Sequence, residues 1–221
     1  MQVIGFLLHR LAASGVLLSL VSAGPPDPAS TPGTFTTDNY NLSARIPARL
    51  FHCPYPEGWV GSDHGISIYL VKPKACSPDG PAAADAEAAR LPRIQLFYAY
   101  NNADSVTGPG DEARPFRTNA ELVANDCRPP ASRLPGGLTL LGLPAAGCVH
   151  RHGTAVSVFT ATVYSQDPGS APDEPDSYLF VSLETTSRRY LGDLKTLRAL
   201  VAGMRVCIGS DQPPCPPFIQ W

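Results

Sequence analysis

The chain has 221 residues, of which 17 are basic and 19 acidic, and its formal charge is −2. No basic cluster is larger than Arg188-Arg189. Because binding to nucleic acid or to an anionic membrane requires a concentrated cationic surface, this composition argues against both kinds of partner.

Residues 1–23 have the pattern of a cleavable secretory signal. Arg10 closes the basic region, Leu11–Leu20 is apolar, and Val21-Ser22-Ala23 forms a cleavage site of small residues. The apolar run is shorter than the roughly 20 residues that span a bilayer, and no later segment is apolar for long enough. We therefore expect a secreted or periplasmic protein with no membrane span in the mature chain.

A proline-rich stretch follows the signal. Residues 24–33 include four prolines and show no hydrophobic periodicity, which is typical of an extended linker. The sequence thus predicts a signal peptide at 1–23, a disordered linker at 24–39, one α+β domain at 40–208 and a proline-rich tail at 209–221.

Within the domain, segments with the two-residue alternation of β-strands predict a mostly antiparallel sheet. The first two are expected to pair across a long loop, and the last two to pair across the turn-rich segment between them. The predicted strands are Tyr40–Leu50, Gly65–Val71, Ile94–Tyr100, Leu138–Leu143, Cys148–His152, Thr154–Ser165 and Tyr178–Thr186.

Two helices are predicted. Thr118 and Glu121 have the spacing of a capping box at the start of a short helix that continues up to Cys127. Near the carboxy terminus, an apolar stripe at helical spacing predicts a helix that docks onto the sheet. The residues of that stripe are Leu194, Leu197, Val201 and Met204. The predicted fold class is α+β, a mostly antiparallel sheet backed by a carboxy-terminal helix, with long loops.

The six cysteines can pair in 15 ways. Their spacing favours bridges between nearest neighbours, the last of which would pin the proline-rich tail to the domain. Because the sequence has no Cys-x-x-Cys motif, structural disulfides are favoured over zinc or redox chemistry, and no cofactor is expected. The predicted pairs are Cys53 with Cys76, Cys127 with Cys148, and Cys207 with Cys215.

Both ends of the domain resemble a known family. The phrase Tyr55-Pro56-Glu57-Gly58-Trp59 after a first strand, and the closing strand and helix from Tyr178 to Val206, are similar to the PsbP and LpqN-like group of secreted α/β/α-sandwich proteins. The resemblance implies a non-catalytic, extracytoplasmic domain that acts through protein contacts. It carries over no catalytic residue.

The densest polar cluster on the chain is Gly61-Ser62-Asp63-His64-Gly65. It is not a nucleophile elbow, because the serine directly follows its glycine instead of lying at the centre of Gly-x-Ser-x-Gly. Neighbouring side chains in extended structure point apart, so Ser62, Asp63 and His64 cannot form a triad among themselves. We interpret the cluster as a turn, and keep these three residues as a candidate functional loop.

His150 and His152 are weak candidates for metal binding. Within a strand their imidazoles would share one face, and His64, His52 or Asp63 could supply a third ligand to zinc or copper. The motif holds no acidic ligand, so surface or packing histidines are the favoured interpretation.

These observations predict a non-catalytic, secreted or periplasmic protein-binding domain whose partner is another exported protein, as for an inhibitor or immunity-type protein. The alternative is a metal-dependent or serine-type hydrolase that uses His64, His150 and His152. It requires that folding bring the three histidines together.

Overall fold

The computed structural model describes residues 29–30, 33–36, 42–46, 50–52, 65–73, 90–102, 114–166 and 175–206. These residues form thirteen strands and two helices. In chain order they are β1 (Ala29–Ser30), β2 (Gly33–Thr36), β3 (Leu42–Ile46), β4 (Phe51–His52), β5 (Gly65–Tyr69), β6 (Arg93–Tyr100), α1 (Asn119–Val123), β7 (Ser132–Arg133), β8 (Thr139–Leu140), β9 (Leu143–Pro144), β10 (Ala146–His152), β11 (Ala155–Tyr164), β12 (Ser177–Thr186), α2 (Tyr190–Ala202) and β13 (Met204–Val206).

An eight-stranded sheet, in which all pairs are antiparallel, dominates the fold. Its strand order is β1-β4-β5-β6-β12-β11-β10-β7. The predicted pairing of the last two long strands is confirmed, since β11 and β12 pair over ten consecutive residues, from Ala155 opposite Thr186 to Tyr164 opposite Ser177. β6 joins the other side of β12. The prediction of a mostly antiparallel α+β fold is therefore correct.

Apolar side chains alternate along the central strands and therefore lie on one face of the sheet. We call this the inner face, and it forms part of the hydrophobic core. Val156, Val158 and Thr160 on β11 are buried at the inner face. Three alternate residues of β6 and three of β12 join them, because successive side chains of a strand point to opposite faces. These core residues are Ile94, Leu96, Tyr98, Leu179, Val181 and Leu183.

Helix α2 contributes to the same core. Leu194, Leu197 and Leu200 are buried in one cluster with residues of both larger sheets. Near the helix start, buried Asp193 accepts a hydrogen bond from the Thr185 hydroxyl of β12 and pairs with the Arg189 guanidinium at 3.0 Å. This side-chain network joins the first turn of α2 to the neighbouring strand, and it compensates for burial of the carboxylate.

The helix ends earlier than predicted. Gly203 is its carboxy-terminal cap, and Met204 begins the short strand β13. Met204 is buried, so its place in the apolar pattern is correct although its secondary structure is not. Glycine is a poor helix former and a frequent residue at helix ends, which explains the stop. Among the described residues, no helix combines the length and the apolar character that crossing a membrane requires.

The amino-terminal part differs from the prediction in two ways. β3 does not pair with β5; it lies between β13 and β2 in a separate three-stranded sheet. β5 pairs instead with β4 and β6. In addition, β1 and β2 lie within the predicted 24–39 linker, where their backbones pair with β4 and β3. The alternation of apolar and polar residues identifies β3 as a strand but does not determine which strand it pairs with. Pairing through the backbone needs few apolar side chains, which is why β1 and β2 form in a segment without hydrophobic periodicity.

The predicted strand at Leu138–Leu143 is a tight hairpin of β8 and β9. Leu141 and Gly142 form its turn with φ angles of 57° and 78°. Two positive φ angles in succession are typical of the two-residue turn whose twist matches antiparallel strands. The turn reverses the chain at the centre of the apolar run, and Leu140 is fully buried.

We predict that Leu197→Ala lowers the free energy of unfolding by about 2–5 kcal/mol, because it leaves a cavity where α2 enters the core. Leu197 is 0% exposed, whereas Leu191 on the same helix is 79% exposed. Leu191→Ala is therefore the matched control, with an expected change within about 0.5 kcal/mol. Equal effects of the two substitutions in urea denaturation would contradict the packing of α2 in the core.

Candidate functional site

The most distinctive surface of the described chain is the outer face of the large sheet, opposite the core. There, residues of β6, β12, β11 and β10 lie side by side in antiparallel register. The pairs are Phe97 with Phe180, Phe180 with Ala161, Ser182 with Phe159, and Ser157 with His150. Aromatic side chains are therefore present on all four strands of a face that would ordinarily be polar.

Four of these side chains form a diagonal row that we call the aromatic stripe, defined as Phe97, Phe180, Phe159 and His150. The His150 and Phe159 ring centroids are 5.8 Å apart with an edge-on geometry, and those of Phe159 and Phe180 are 5.9 Å apart. Phe97 lies directly across from Phe180 and is 43% exposed. These distances are typical of favourable aromatic pairs.

Polar side chains line one side of the aromatic stripe. The Gln95 amide donates to the Ser67 hydroxyl at 3.5 Å, and the Ser182 hydroxyl donates to Gln95 Oε1, also at 3.5 Å. In the next pair on the same face, Arg93 and Glu184 form an ion pair of 2.8 Å. Because the two hydrogen bonds are long, Gln95 and Ser182 retain capacity to bond to other groups.

The segment containing α1 borders the other side of the stripe. Phe116 contacts Tyr178 edge-on, with ring centroids 5.7 Å apart. Asn119 bridges the segment to the sheet, since its side chain accepts from the Val163 N–H at 2.8 Å and donates to the Pro144 carbonyl at 2.6 Å. Burial raises the pKa of Tyr178.

The predicted capping box is confirmed at the start of α1. Thr118 is the N-cap and its hydroxyl accepts from the Glu121 N–H at 3.3 Å. Glu121 in turn accepts from the Arg117 N–H at 2.8 Å and pairs with Arg114 at 2.8 Å. The Arg114 hydrogen bond, followed by that from Arg117, lowers the pKa of Glu121 to about 2. A charged network thus fixes the start of the helix.

A disulfide fixes the other end of this segment. Cys127 and Cys148 are bonded, with Cα atoms 5.6 Å apart, as their spacing predicts. The bridge joins the turn after α1 to the outer face of β10. It holds the Asp126 carbonyl against the His150 imidazole. The predicted pairs Cys53/Cys76 and Cys207/Cys215 lie outside the described residues.

The two candidate metal ligands share the outer face of β10, as predicted, but their surroundings differ. His152 is exposed, whereas His150 is half-buried and its Nε2 contacts the Asp126 carbonyl. A carbonyl oxygen only accepts hydrogen bonds, so a hydrogen bond at this contact requires a proton on Nε2 and opposes metal ligation through that nitrogen. Within the described ranges, no three His, Cys, Asp or Glu residues are grouped so that they could hold a metal ion.

The candidate loop of Ser62, Asp63 and His64 lies outside the described residues. Its neighbour Gly65 begins β5, which is four strands away from β10 in the sheet. At about 4.8 Å per strand, the separation is about 19 Å. Of the three histidines in the hydrolase hypothesis, His150 and His152 are the two that the described chain places on one face of a strand.

The aromatic stripe was not predicted, although its residues lie in predicted strands. The sequence offers one signal for it. On β12, Leu179, Phe180 and Val181 are consecutive apolar residues, which is typical of a strand that carries apolar groups on both faces. The alternation of apolar and polar residues by itself predicts only the buried inner face.

The sequence matches no known family model and no curated protein. Among solved structures, the chain is similar to a crystal structure from Bacteroides thetaiotaomicron VPI-5482, with 10% sequence identity and a TM-score of 0.41. The match covers 83% of this chain and 51% of that chain, so the chain spans about half the length of this structure.

We predict that Glu121→Gln removes a pH-dependent contribution to stability. The folded state lowers the pKa of Glu121 from 4.5 to about 2, so the carboxylate stabilises the fold above its ordinary pKa and this effect is lost as the pH falls toward about 2. Since the Glu121 side chain is about one third exposed, we expect the free energy of unfolding to fall by about 1 kcal/mol near neutral pH. The difference in the free energy of unfolding between Glu121→Gln and the parent protein should vanish in acid.

Urea denaturation across this pH range measures the difference. Arg114→Gln should weaken the same pH dependence, because the Arg114 hydrogen bond is the largest cause of the lowered pKa. A stability difference between parent and Glu121→Gln that stays constant from neutral pH into acid would contradict the assignment.

Proposed function

We propose that this protein is an exported, non-catalytic domain that binds another exported protein through the outer face of its large sheet. The observation that carries the proposal is the aromatic stripe beside a polar border. Aromatic residues are enriched in the cores of protein interfaces, and a few such anchors supply most of the binding free energy. Phe97, at 43% exposure, is the most accessible ring of the stripe.

The surroundings of the stripe suit recognition of a protein surface. Within the described part of the chain, the hydrogen bonds of Gln95 and Ser182 are long, so these side chains can exchange them for bonds to a partner. On the opposite side, the Cys127–Cys148 disulfide and the capping network hold α1 in place. A surface that is already rigid loses less conformational entropy on binding.

We further propose that α2 backs the inner face of the sheet along its length. This arrangement would reserve the outer face for contacts with other molecules. It is supported by the burial of Leu194, Leu197 and Val201 in the core and by the bond between Asp193 and Thr185.

We also propose that the protein is exported from the cytoplasm. A bonded cysteine pair favours an oxidising compartment, which agrees with the signal pattern of residues 1–23. The resemblance to PsbP and LpqN-like proteins implies the same location and the same non-catalytic mode of action. An inhibitor or immunity-type role would fit a small, rigid domain of this kind.

A hydrolase based on His64, His150 and His152 is the weaker proposal. The engagement of His150 Nε2 by the Asp126 carbonyl opposes its use as a metal ligand or a general base at that nitrogen. No contact in the described part of the chain favours this alternative.

Capture of partners from the native exported fraction tests the binding function. Immobilised parent protein should retain a stoichiometric partner, and Phe97→Ser should lower its affinity at least about tenfold, because loss of an aromatic anchor costs more than about 1.4 kcal/mol. The matched control is Leu191→Ser, which removes a more exposed apolar side chain from α2. It should bind as the parent does.

Each other outcome has a definite meaning. Equal binding by the parent and Phe97→Ser would refute the assignment of the binding site to the outer face. An equal loss of affinity in Phe97→Ser and Leu191→Ser would show that the effect is not specific to that face. Recovery of no stoichiometric partner by the parent would contradict the binding function itself.

A further inference from the structure

A second surface feature lies away from the aromatic stripe, at the end of α2. It is an open groove of about 740 Å³ between the carboxy-terminal turn of the helix and the β8–β9 hairpin. A volume of this size is typical of sites that take a small molecule or a few residues of peptide. Its lining is mixed: Arg198, Thr139 and three glycines lie beside the apolar side chains of Leu138, Pro144, Val201, Ala202 and Met204.

Local sequence fixes the walls of the groove. The β8–β9 turn places Gly142 on its rim. Arg198 on α2 donates from Nη2 to the Pro135 carbonyl at 2.6 Å, and this nitrogen lies 3.1 Å from where a Cβ of Gly136 would be. Because Gly136 also has a φ of 73°, a side chain there would be both strained and in close contact with the arginine. The hairpin side of the groove is thereby joined to the helix.

The chain itself passes the groove. Met204 lines it and lies on β13, and the chain leaves this strand at Val206. The segment that follows, residues 207–221, contains Pro213, Pro214, Pro216 and Pro217 and then Phe218-Ile219-Gln220-Trp221. Proline rings and aromatic rings can pack against the apolar side chains of the groove lining.

Chain length places this segment within reach. The predicted Cys207–Cys215 bridge would return the chain to within about 7 Å of Cys207, which directly follows β13. From there, residues 216–221 extend up to about 20 Å, and Met204 in the groove lining lies only three residues before Cys207. The bridge would also remove most of the loop-closure entropy that docking of a free segment would cost.

We propose that residues 216–221 dock in this groove, with Phe218, Ile219 and Trp221 against the apolar lining. The groove is then a site for an intramolecular apolar segment and is separate from the outer face of the sheet. An outside ligand and the same segment of a second copy are the competing occupants, and the experiment distinguishes them.

Fluorescence of Trp221 tests the docking in the full chain. The protein has two tryptophans, Trp59 and Trp221, so the difference between the spectra of the parent and of Trp221→Phe isolates Trp221 without altering Trp59. Docking predicts blue-shifted emission and protection from a soluble quencher. Emission of Trp221 that matches free tryptophan in water would overturn the proposal and leave the groove to an outside ligand.

A pair of variants links the signal to the groove. Ala202→Arg introduces a long charged side chain into the lining, and it should red-shift the Trp221 emission and increase quenching at least twofold. Ala199→Arg makes the same change at an exposed position of α2 outside the lining, and should leave the Trp221 emission as in the parent. Identical spectra for the two variants would overturn the proposal.

Dilution distinguishes docking of the segment within its own chain from docking of the same segment of a second copy. Docking within one chain gives a Trp221 signal that is independent of protein concentration, and a shift that appears only at high concentration would refute it. The aromatic stripe takes no part in this experiment. The result of the fluorescence experiment therefore does not depend on the proposed binding of a partner protein.

Discussion

The ten-residue antiparallel ladder between β11 and β12 determines which side of the sheet every central side chain occupies. Because side chains alternate with a period of exactly two, a shift of one residue would exchange the buried Val156, Val158 and Leu183 with outward-facing groups. β6 and β10 are in turn aligned on these two strands. The same register therefore sets both the core and the position of each ring in the aromatic stripe.

The segment from Arg114 to Cys127 depends on the same ladder, although α1 has only five residues. A helix this short is not stable alone, so its position must come from contacts at both ends. The capping network supplies them at Thr118 and Glu121, and the disulfide supplies them at Cys127. Since Cys148 lies on the outer face of β10, the bridge places the segment on that face and brings the Asp126 carbonyl to His150. The engagement of His150 is thus a consequence of disulfide geometry and strand register together.

Sequence patterns predicted the features that depend on neighbouring residues. The central strands, the Thr118 cap and the Cys127–Cys148 pair all follow from local spacing. The partner of β3 could not be predicted, because several alternating strands compete for one edge and tertiary contacts decide among them. Met204 was assigned to the helix because its spacing continues the apolar stripe past Gly203. The surroundings of His150 depend on a residue 24 positions earlier in the chain, beyond the reach of any local pattern.

The energetics of the outer face distinguish it from an ordinary solvent-exposed sheet. Each square ångström of apolar surface removed from water contributes roughly 25 cal/mol, so covering the partly exposed rings of Phe97, Phe159 and Phe180 is favourable. Covering polar groups costs free energy unless they keep hydrogen-bond partners. Here Gln95, Ser182 and Ser67 already bond to one another, and Arg93 is paired with Glu184. A partner that covers the stripe would gain the apolar contribution, and it would offset the cost of covering Gln95 and Ser182 by replacing their long hydrogen bonds with bonds of its own. This is the balance that binding through this face requires.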